Sequence, residues 1–257
     1  PFSSNDLFIR NAVKTQITAS YSFQRRPDYT RTIASLIFGY NWKSSRFITQ
    51  NFNPIEINAI QIPRISDAFQ QQIESTFLKY SYINQLVTVS SYGITFNNQN
   101  VQKASSYTYV RYNIELSGNI LSLASSTFGR PKAADGSFQL LNTSFSQFVR
   151  SDVNLTYHQV VDKNNTFVYR IFAGLGYPYG NSRALPFEKM YFSGGANGVR
   201  AWQARALGPG SYFATGESYP NRTADIKLEA NLEYRFKVFW QLEGALFFDA
   251  GNIWSLP

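Results

Sequence analysis

The chain has 257 residues, a formal net charge of +8 at pH 7, no cysteine and a single histidine. This composition excludes disulfides and thiolate metal sites within these residues, and it argues against histidine-based metal binding or acid–base catalysis. No apolar run approaches the roughly 18–20 residues that a membrane-spanning helix needs. In contrast, 22 Phe and 17 Tyr in a mildly hydrophilic chain are typical of a transmembrane β-barrel, with aromatic side chains towards lipid and a polar interior.

Alternation of polar and apolar residues predicts about nine β-strands along the chain. We place them at residues 7–23, 29–43, 46–60, 81–97, 105–120, 143–160, 166–177, 224–236 and 240–254. In the third strand, Pro54 cannot donate a backbone hydrogen bond and therefore predicts a bend or bulge. The clearest strand is 224–236, in which polar and apolar residues alternate without an error. Its length suits a tilted strand that crosses a membrane.

The connections between these strands alternate in length. Short turns are predicted near residues 43–45, 98–104, 161–165 and 237–239, and mostly longer loops near 24–28, 61–80, 121–142 and 178–223. Short turns on one rim and long loops on the other are typical of outer-membrane barrels, with the long loops outside. Within the second long loop, residues 65–73 predict a short surface helix that Ser66 or Asp67 caps.

The predicted fold class is all-β: a transmembrane antiparallel β-barrel in the outer membrane of a Gram-negative bacterium. Nine consecutive strands with no closing partner would leave two unpaired edges in lipid, which is not a viable final structure. We therefore expect residues 1–257 to be the interior part of one larger barrel, or a barrel that lacks its ends.

A glycine-rich segment lies in the longest loop, between Pro186 and Tyr212. Its core, from Gly194 to Trp202, has glycine and asparagine where the backbone turns too tightly for larger side chains. Arg200 stands among these small residues and cannot lose its positive charge. If the loop is buried, Arg200 requires a carboxylate, because an unpaired buried charge is prohibitively costly.

Three segments resemble signatures of the BamA/TamA outer-membrane assembly superfamily. Residues 192–202 (FSGGANGVRAW) resemble its sixth-loop signature, and residues 248–254 (FDAGNIW) resemble its Phe-x-Asp-x-Gly strand motif. Residues 231–236 (NLEYRF) are similar to the strand directly after that loop. The segments follow one another in family order and at family spacing. Residues 200–212 are most similar to the TamL-type, lipoprotein-anchored branch.

The resemblance implies a barrel of sixteen strands, of which the nine in this chain are the fifth to the thirteenth. The sixth loop, at residues 178–223, is then expected to fold back into the lumen. The periplasmic POTRA domains and both seam strands are expected to be absent from this sequence. Ala201 stands where the family usually has glycine, which predicts mild strain if the loop tip needs a positive φ.

Alternation places Glu233 and Asp249 on the polar faces of adjacent strands, and an inward-folded sixth loop brings Arg200 to them. We predict a latch in which Arg200 bonds Asp249 and, as second acceptor, Glu233, since a guanidinium can bond two carboxylates. The alternative is that Asp249 lines a wet lumen and Arg200 is a solvated loop charge. The other motif residues predicted for this site are Phe192, Gly194, Gly195, Gly198, Val199 and Trp202 in the loop, and Phe248 and Gly251 in the last strand.

Other features of the sequence predict no further site. His158 is predicted to be a solvated lumen residue, and we expect no catalytic residues, metal or cofactor, so the protein is predicted not to be an enzyme. The basic charge does not indicate nucleic-acid binding, because no basic helix or nucleic-acid motif accompanies it. Cations predicted for the outer rim, either solvated or bound to lipopolysaccharide phosphates, are Arg25, Arg26, Arg64, Lys79, Arg130, Lys132, Arg183, Arg205 and Arg222.

The resemblance implies an assembly factor of the BamA/TamA type, which assists insertion of β-barrel proteins or transfers envelope components into the outer membrane. The expected partners are outer-membrane lipids and lipopolysaccharide, substrate outer-membrane proteins, and a periplasmic partner such as a TamB-like protein or other assembly-complex subunits. Two alternatives stay open. One is a two-partner secretion transporter that exports a polypeptide, and the other is a passive porin, against which the loop signature argues.

Overall fold

The structure, a computed structural model, describes residues 12–74, 79, 82–133, 136–140, 143–211 and 222–256. Its strands are β1 (Lys14–Arg25), β2 (Tyr29–Lys43), β3 (Ile48–Ile65), β4 (Gln85–Asn97), β5 (Tyr107–Ser117), β6 (Gln139–Leu140), β7 (Thr143–Ser144), β8 (Phe148–Val160), β9 (Asn165–Pro178), β10 (Ile226–Phe239) and β11 (Leu242–Trp254). Its helices are α1 (Asp67–Glu74), α2 (Asn119–Thr127) and a 3-10 turn at Phe187–Lys189.

The long strands of the described residues form one nine-stranded sheet in the order β1-β2-β3-β4-β5-β8-β9-β10-β11, and β6 pairs only with β7. Every neighbouring pair in the large sheet is antiparallel, which confirms the predicted all-β, antiparallel fold. The long strands contain 11 to 18 residues, more than an ordinary globular strand. In the described part of the chain, none of the helices has the length and apolar character needed to cross a bilayer.

All nine predicted strands are present, but several predicted ends are wrong; β3, for example, runs to Ile65 instead of residue 60, and β5 ends at Ser117 instead of residue 120. Of the first predicted strand, residues 7–11 lie outside the described part of the chain, and among the described residues the strand begins at Lys14. The predicted turn at 237–239 belongs to β10, and the chain reverses at Trp240 and Gln241 instead. Trp240 makes this tight reversal with a positive φ of 50°.

The region between β5 and β8 is more structured than the alternation indicates. The predicted strand over 143–160 is interrupted, because the Ser146 N–H donates to Leu86 O at 2.9 Å and the Gln147 N–H donates to Ser182 Oγ at 2.8 Å. These two amides therefore do not pair with β9. Helix α2 is not predicted by the sequence reasoning, because it has no capping side chain and no charged residue in its first or last turn.

Two local predictions are confirmed. The register of β3 against β4 shifts between Asn53 and Glu56, at the predicted proline bulge. The helix predicted over 65–73 is α1, and the Phe69 N–H donates to Ser66 Oγ at 3.3 Å. Ser66 is therefore the capping residue of this helix.

Side chains alternate between the two faces of the sheet. One face is apolar and exposed, with examples on five strands at Tyr21, Leu155, Ile171, Leu232 and Phe248. The opposite face, which we call the inner face, bears among others the carboxylates of Glu56, Glu115, Glu229, Glu233 and Asp249. Each of these carboxylates bonds to the connection between β9 and β10, which therefore lies on the inner face.

Apolar burial also fixes this connection to the inner face. Its Leu185 is fully buried in a cluster with Ile60, Val87, Val89 and Phe148. A second cluster joins its Phe187 to Tyr29, Ile73 and Tyr82. Since burial of apolar surface stabilises by about 25 cal/mol per Å², these clusters hold the connection independently of its charged contacts.

We predict that Leu185→Ala lowers the free energy of unfolding by about 2–5 kcal/mol, because it leaves a cavity among well-packed side chains. The measurement is urea-induced unfolding of the full-length protein in lipid vesicles, followed by tryptophan fluorescence. The control is Val101→Ala in the β4–β5 turn, where the side chain is 92% exposed and the expected change is within about 0.5 kcal/mol. Equal effects of the two substitutions would contradict this role of Leu185.

Candidate functional site

The candidate site is formed where the connection between β9 and β10 meets the last two strands. We call its described residues 179–211 the inner loop. Sequence reasoning names Arg200, Asp249 and Glu233 as the centre of this site, and the structure brings all three together.

Arg200 makes its strongest contacts with Asp249 on β11. Its Nε donates to Oδ2 at 2.8 Å, its Nη2 donates to Oδ1 at 2.8 Å, and its backbone N–H donates to Oδ2 at 3.0 Å. Nη1 donates to Glu233 Oε2 on β10. The side chain of Asp249 is only 4% exposed and that of Arg200 22% exposed. This is a bidentate, charge-assisted contact with a second carboxylate attached, the strong form of an arginine–carboxylate pair.

Neighbouring residues complete the site. Asn231 Nδ2 donates to Asp249 Oδ1 at 2.8 Å and to the carbonyl of Gly198 at 2.9 Å, so it holds both the acid and the loop. The guanidinium of Arg200 lies 3.8 Å from the ring centre of Phe247, a cation–π contact. Hydrogen bonds to Asp249, opposed by burial and assisted by Glu233, raise the pKa of Arg200 above its usual value. The loop tip is therefore cationic at every physiological pH.

Glu229 is a site residue that sequence reasoning missed. Its side chain is fully buried on β10, where it accepts a hydrogen bond from Ser193 Oγ at 2.8 Å. It also pairs with Lys227 Nζ at 2.9 Å and Arg170 Nη1 at 3.4 Å. Alternation places Glu229 on the same face as Glu233, and this pattern could have identified Glu229 as a residue of the site. Its loop partner is not apparent from the strand pattern.

The glycines of the motif allow the loop to approach β10 closely. Gly194 and Gly195 have positive φ values of 92° and 89°, which other residues rarely adopt. A Cβ at Gly198 would lie 2.8 Å from Glu229 Oε1. A Cβ at Gly251 on β11 would lie 2.7 Å from Glu229 Cγ. Both positions therefore need glycine to leave room for the buried acid.

The remaining motif residues take different positions. Val199 is buried, whereas Trp202 is exposed and joins the turn through its backbone carbonyl, which accepts from the Gly195 N–H at 2.8 Å. The carbonyl of Phe192 accepts from Lys227 Nζ at 2.8 Å. Phe248 is exposed on the apolar face of β11 and is not part of the latch.

The backbone strain expected at Ala201 is absent, because this residue does not have a positive φ. Among the described residues other than glycine, only Arg205 and Trp240 have positive φ. The sharp turns of the motif occur at Gly194 and Gly195 instead. A side chain at position 201 is therefore compatible with the backbone.

A second group of contacts anchors the beginning of the inner loop. Lys189 Nζ donates to Glu115 Oε2 on β5 at 2.7 Å and to Glu56 Oε1 on β3 at 3.2 Å. Burial lowers the pKa of Lys189, but the two carboxylates outweigh it and raise the pKa above its ordinary value. Arg150 Nη1 on β8 pairs with Glu115 Oε1 at 2.9 Å. Sequence reasoning did not identify this cluster.

Tyr191 and Glu188 extend the anchor to further strands. The Tyr191 hydroxyl donates to Ser151 O on β8 at 3.1 Å, and the guanidinium of Arg150 lies 4.4 Å from its ring centre. Glu188 pairs with Arg31 on β2. The inner loop thus bonds to β2, β3, β5, β8, β10 and β11.

The matches to known proteins agree with this geometry. The family model of the Omp85 superfamily domain matches residues 3–256. The chain belongs to the Omp85 superfamily. Omp85 proteins of the BamA type are outer-membrane β-barrels, and the predicted outer-membrane location in a Gram-negative bacterium is confirmed.

Two BamA proteins illustrate the relationship. The outer membrane protein assembly factor BamA of Neisseria meningitidis serogroup B is 28% identical over 121 residues, which cover 42% of this chain and 14% of that protein. The structure of BamA from Haemophilus ducreyi lacking POTRA domains 1-3 matches with a TM-score of 0.63 at 10% identity, over 95% of this chain and 46% of the other. The chain therefore spans less than half the length of either relative.

Three expectations outside the latch can be compared with this Omp85 structure. His158 stacks on Tyr107 with ring centres 4.2 Å apart. Across the described residues, no group of three or more His, Cys, Asp or Glu side chains is placed to hold a metal ion. Two of the cations predicted on the outer rim have partners in the β9–β10 connection: Arg205 packs 4.7 Å from the ring centre of Phe187, and Arg222 Nη1 donates to Ala206 O at 2.8 Å.

We predict that Arg200→Ala releases the tip of the inner loop, because it leaves Asp249 and Glu233 without their cation at a cost of about 3 kcal/mol. Proteinase K cleavage within residues 179–211 of the full-length protein in vesicles should become at least tenfold faster, which corresponds to about 1.4 kcal/mol. Lys103→Ala, which removes an exposed cation from the β4–β5 turn, is the matched control. Unchanged cleavage of the Arg200 variant would support the alternative of a solvated loop charge.

We predict opposite outcomes for two substitutions in the same turn. Gly198→Ala should displace Glu229 and destabilise the loop by about 1–3 kcal/mol through overpacking. Ala201→Gly should change the stability by no more than about 0.5 kcal/mol, because position 201 needs no positive φ. Amide hydrogen exchange across residues 179–211 measures both effects. Faster exchange in Ala201→Gly but not in Gly198→Ala would refute the inference that position 198 has no room for a Cβ beside Glu229.

Proposed function

We propose that this chain is the barrel part of an outer-membrane assembly factor of the BamA/TamA type, in its TamL-type branch. In this proposal the nine long strands are the fifth to the thirteenth of sixteen, and the inner loop is the sixth loop inside the lumen. Membership of the Omp85 superfamily supports the general class. The likeness of residues 200–212 to the TamL-type signature supports the branch.

The contact of Arg200 with Asp249 and Glu233 is the observation that carries the proposal. It fixes a loop on the inner face, where an open channel would otherwise lie, and so disfavours a passive porin. Because the loop occupies the lumen, we place the interaction with substrate at the wall of the barrel. In the proposed mechanism the seam between first and last strands opens, and its exposed strand edge templates an incoming strand or thins the local bilayer.

The proposed partners follow from this mechanism. Substrate outer-membrane proteins would meet the seam, outer-membrane lipids and lipopolysaccharide would surround it, and a TamB-like protein or other assembly-complex subunits would deliver material from the periplasm. The protein would act without a cofactor and would not be an enzyme, since templating and membrane thinning require no covalent chemistry.

The test uses the full-length protein in proteoliposomes with a urea-denatured outer-membrane β-barrel protein as substrate. We predict faster appearance of folded, membrane-integrated substrate than in empty vesicles, and loss of this acceleration for Arg200→Ala. Lys103→Ala should behave as the unmodified protein. No acceleration by the unmodified protein would refute the assembly function.

Two further outcomes would replace the proposal by its alternatives. Substrate that crosses the vesicle membrane and becomes soluble, instead of integrating, would indicate a two-partner secretion transporter. A large, steady conductance of the unmodified protein in a planar bilayer would indicate a porin.

A further inference from the structure

Helix α2 carries an exposed apolar stripe. Ile120 and Leu123 are each 71% exposed, and Phe128, directly after the helix, is 80% exposed. Ile120 and Leu123 are three residues apart, so they lie on one side of the helix, and Phe128 follows at its C-terminal end. A cluster of exposed large apolar side chains is typical of an interaction surface, whereas single exposed ones need no explanation.

The other side of α2 is fixed to the barrel rim. Ser125 is its buried residue, and Asn119 Oδ1 accepts hydrogen bonds from Tyr179 Oη at 2.7 Å and Gln147 Nε2 at 3.1 Å. Gly118, with a φ of 71°, turns the chain from β5 into the helix. These contacts determine which side of the helix is presented outwards.

The stripe begins four residues after the apolar face of β5 ends. Leu116 is the last apolar residue of β5 on that face and is exposed. Ile120 follows it after the single turn at Gly118. Because the exposed apolar face of an outer-membrane barrel contacts lipid, the stripe follows directly in sequence on a strand face that we expect to contact lipid.

The charge next to the stripe is positive. Residues 116–138 contain Arg130, Lys132 and one acidic residue, Asp135, which gives a net charge of +1. Both side chains belong to exposed residues that follow Phe128. Cations beside an apolar stripe match an anionic membrane surface, where phosphates accept their hydrogen bonds. In a loop that faces only water, the apolar side chains of the stripe would gain no stabilisation from burial.

We propose that α2 lies in the interface of the outer leaflet and anchors the β5–β8 loop to it. Ile120, Leu123 and Phe128 enter the boundary between headgroups and acyl chains to a depth of about 5–10 Å. Arg130 and Lys132 bind the phosphates of lipopolysaccharide. The inference rests on Omp85 membership and is independent of the proposed assembly function.

The test places an environment-sensitive NBD label at Leu123→Cys in the full-length protein, since these 257 residues contain no cysteine. The protein is reconstituted in phosphatidylcholine vesicles that contain brominated lipid, with and without lipopolysaccharide. We expect quenching by brominated lipid to be at least about twofold greater than for a label at Val101→Cys, in the turn on the opposite rim. Lipopolysaccharide should increase this quenching further, and Arg130→Gln with Lys132→Gln should remove that increase.

Each contrary result overturns a stated part of the proposal. Quenching of the Leu123 label no greater than that of the Val101 label would show that α2 stays in water. A Leu123 label that is shielded from aqueous iodide but not quenched by brominated lipid would show that a protein segment covers the stripe. Quenching that does not respond to lipopolysaccharide would refute the phosphate contacts of Arg130 and Lys132.

Discussion

The compensation of buried carboxylates is the constraint on which the inner face depends. Glu229, Glu233 and Asp249 lie on two neighbouring strands, with side chains that are between 0% and 16% exposed. Repulsion between negative charges that are this close and this little exposed to solvent would destabilise the fold unless cations compensate them. The strands supply Arg170 and Lys227, but Asp249 obtains its cation from the inner loop. The position of the loop is therefore an electrostatic requirement of β10 and β11.

The inner loop acts as a brace between separate parts of the sheet. Its first half bonds to β2, β3, β5 and β8 through Glu188, Lys189 and Tyr191. Its tip bonds to β10 and β11 through Arg200. Strands that are far apart in sheet order thus share one loop, which limits how far they can move relative to each other.

The elements that could be predicted from the sequence are those that a local pattern of residues determines. Polar–apolar alternation in β10 is strict because one face meets lipid and the other meets charged groups, so its location follows from the pattern. The partners of Lys189 could not be predicted in the same way, because Glu56 and Glu115 are brought near it only by the pairing of distant strands. Helix α2 was missed for a different reason, since its uncapped, uncharged sequence has no local start or stop signal.

The two main cations of the loop differ in what they can specify. Lys189 is a compact charge between two acids on different strands, and an ammonium group accepts many arrangements of its partners. Arg200 presents a planar fork to both oxygens of Asp249 and one of Glu233, so its orientation is fixed. The tip of the loop is therefore fixed by hydrogen-bond geometry, whereas Lys189 at its base adds charge compensation to the apolar packing of Leu185 and Phe187. This difference favours arginine at the one position where β10 and β11 must be joined in a single arrangement.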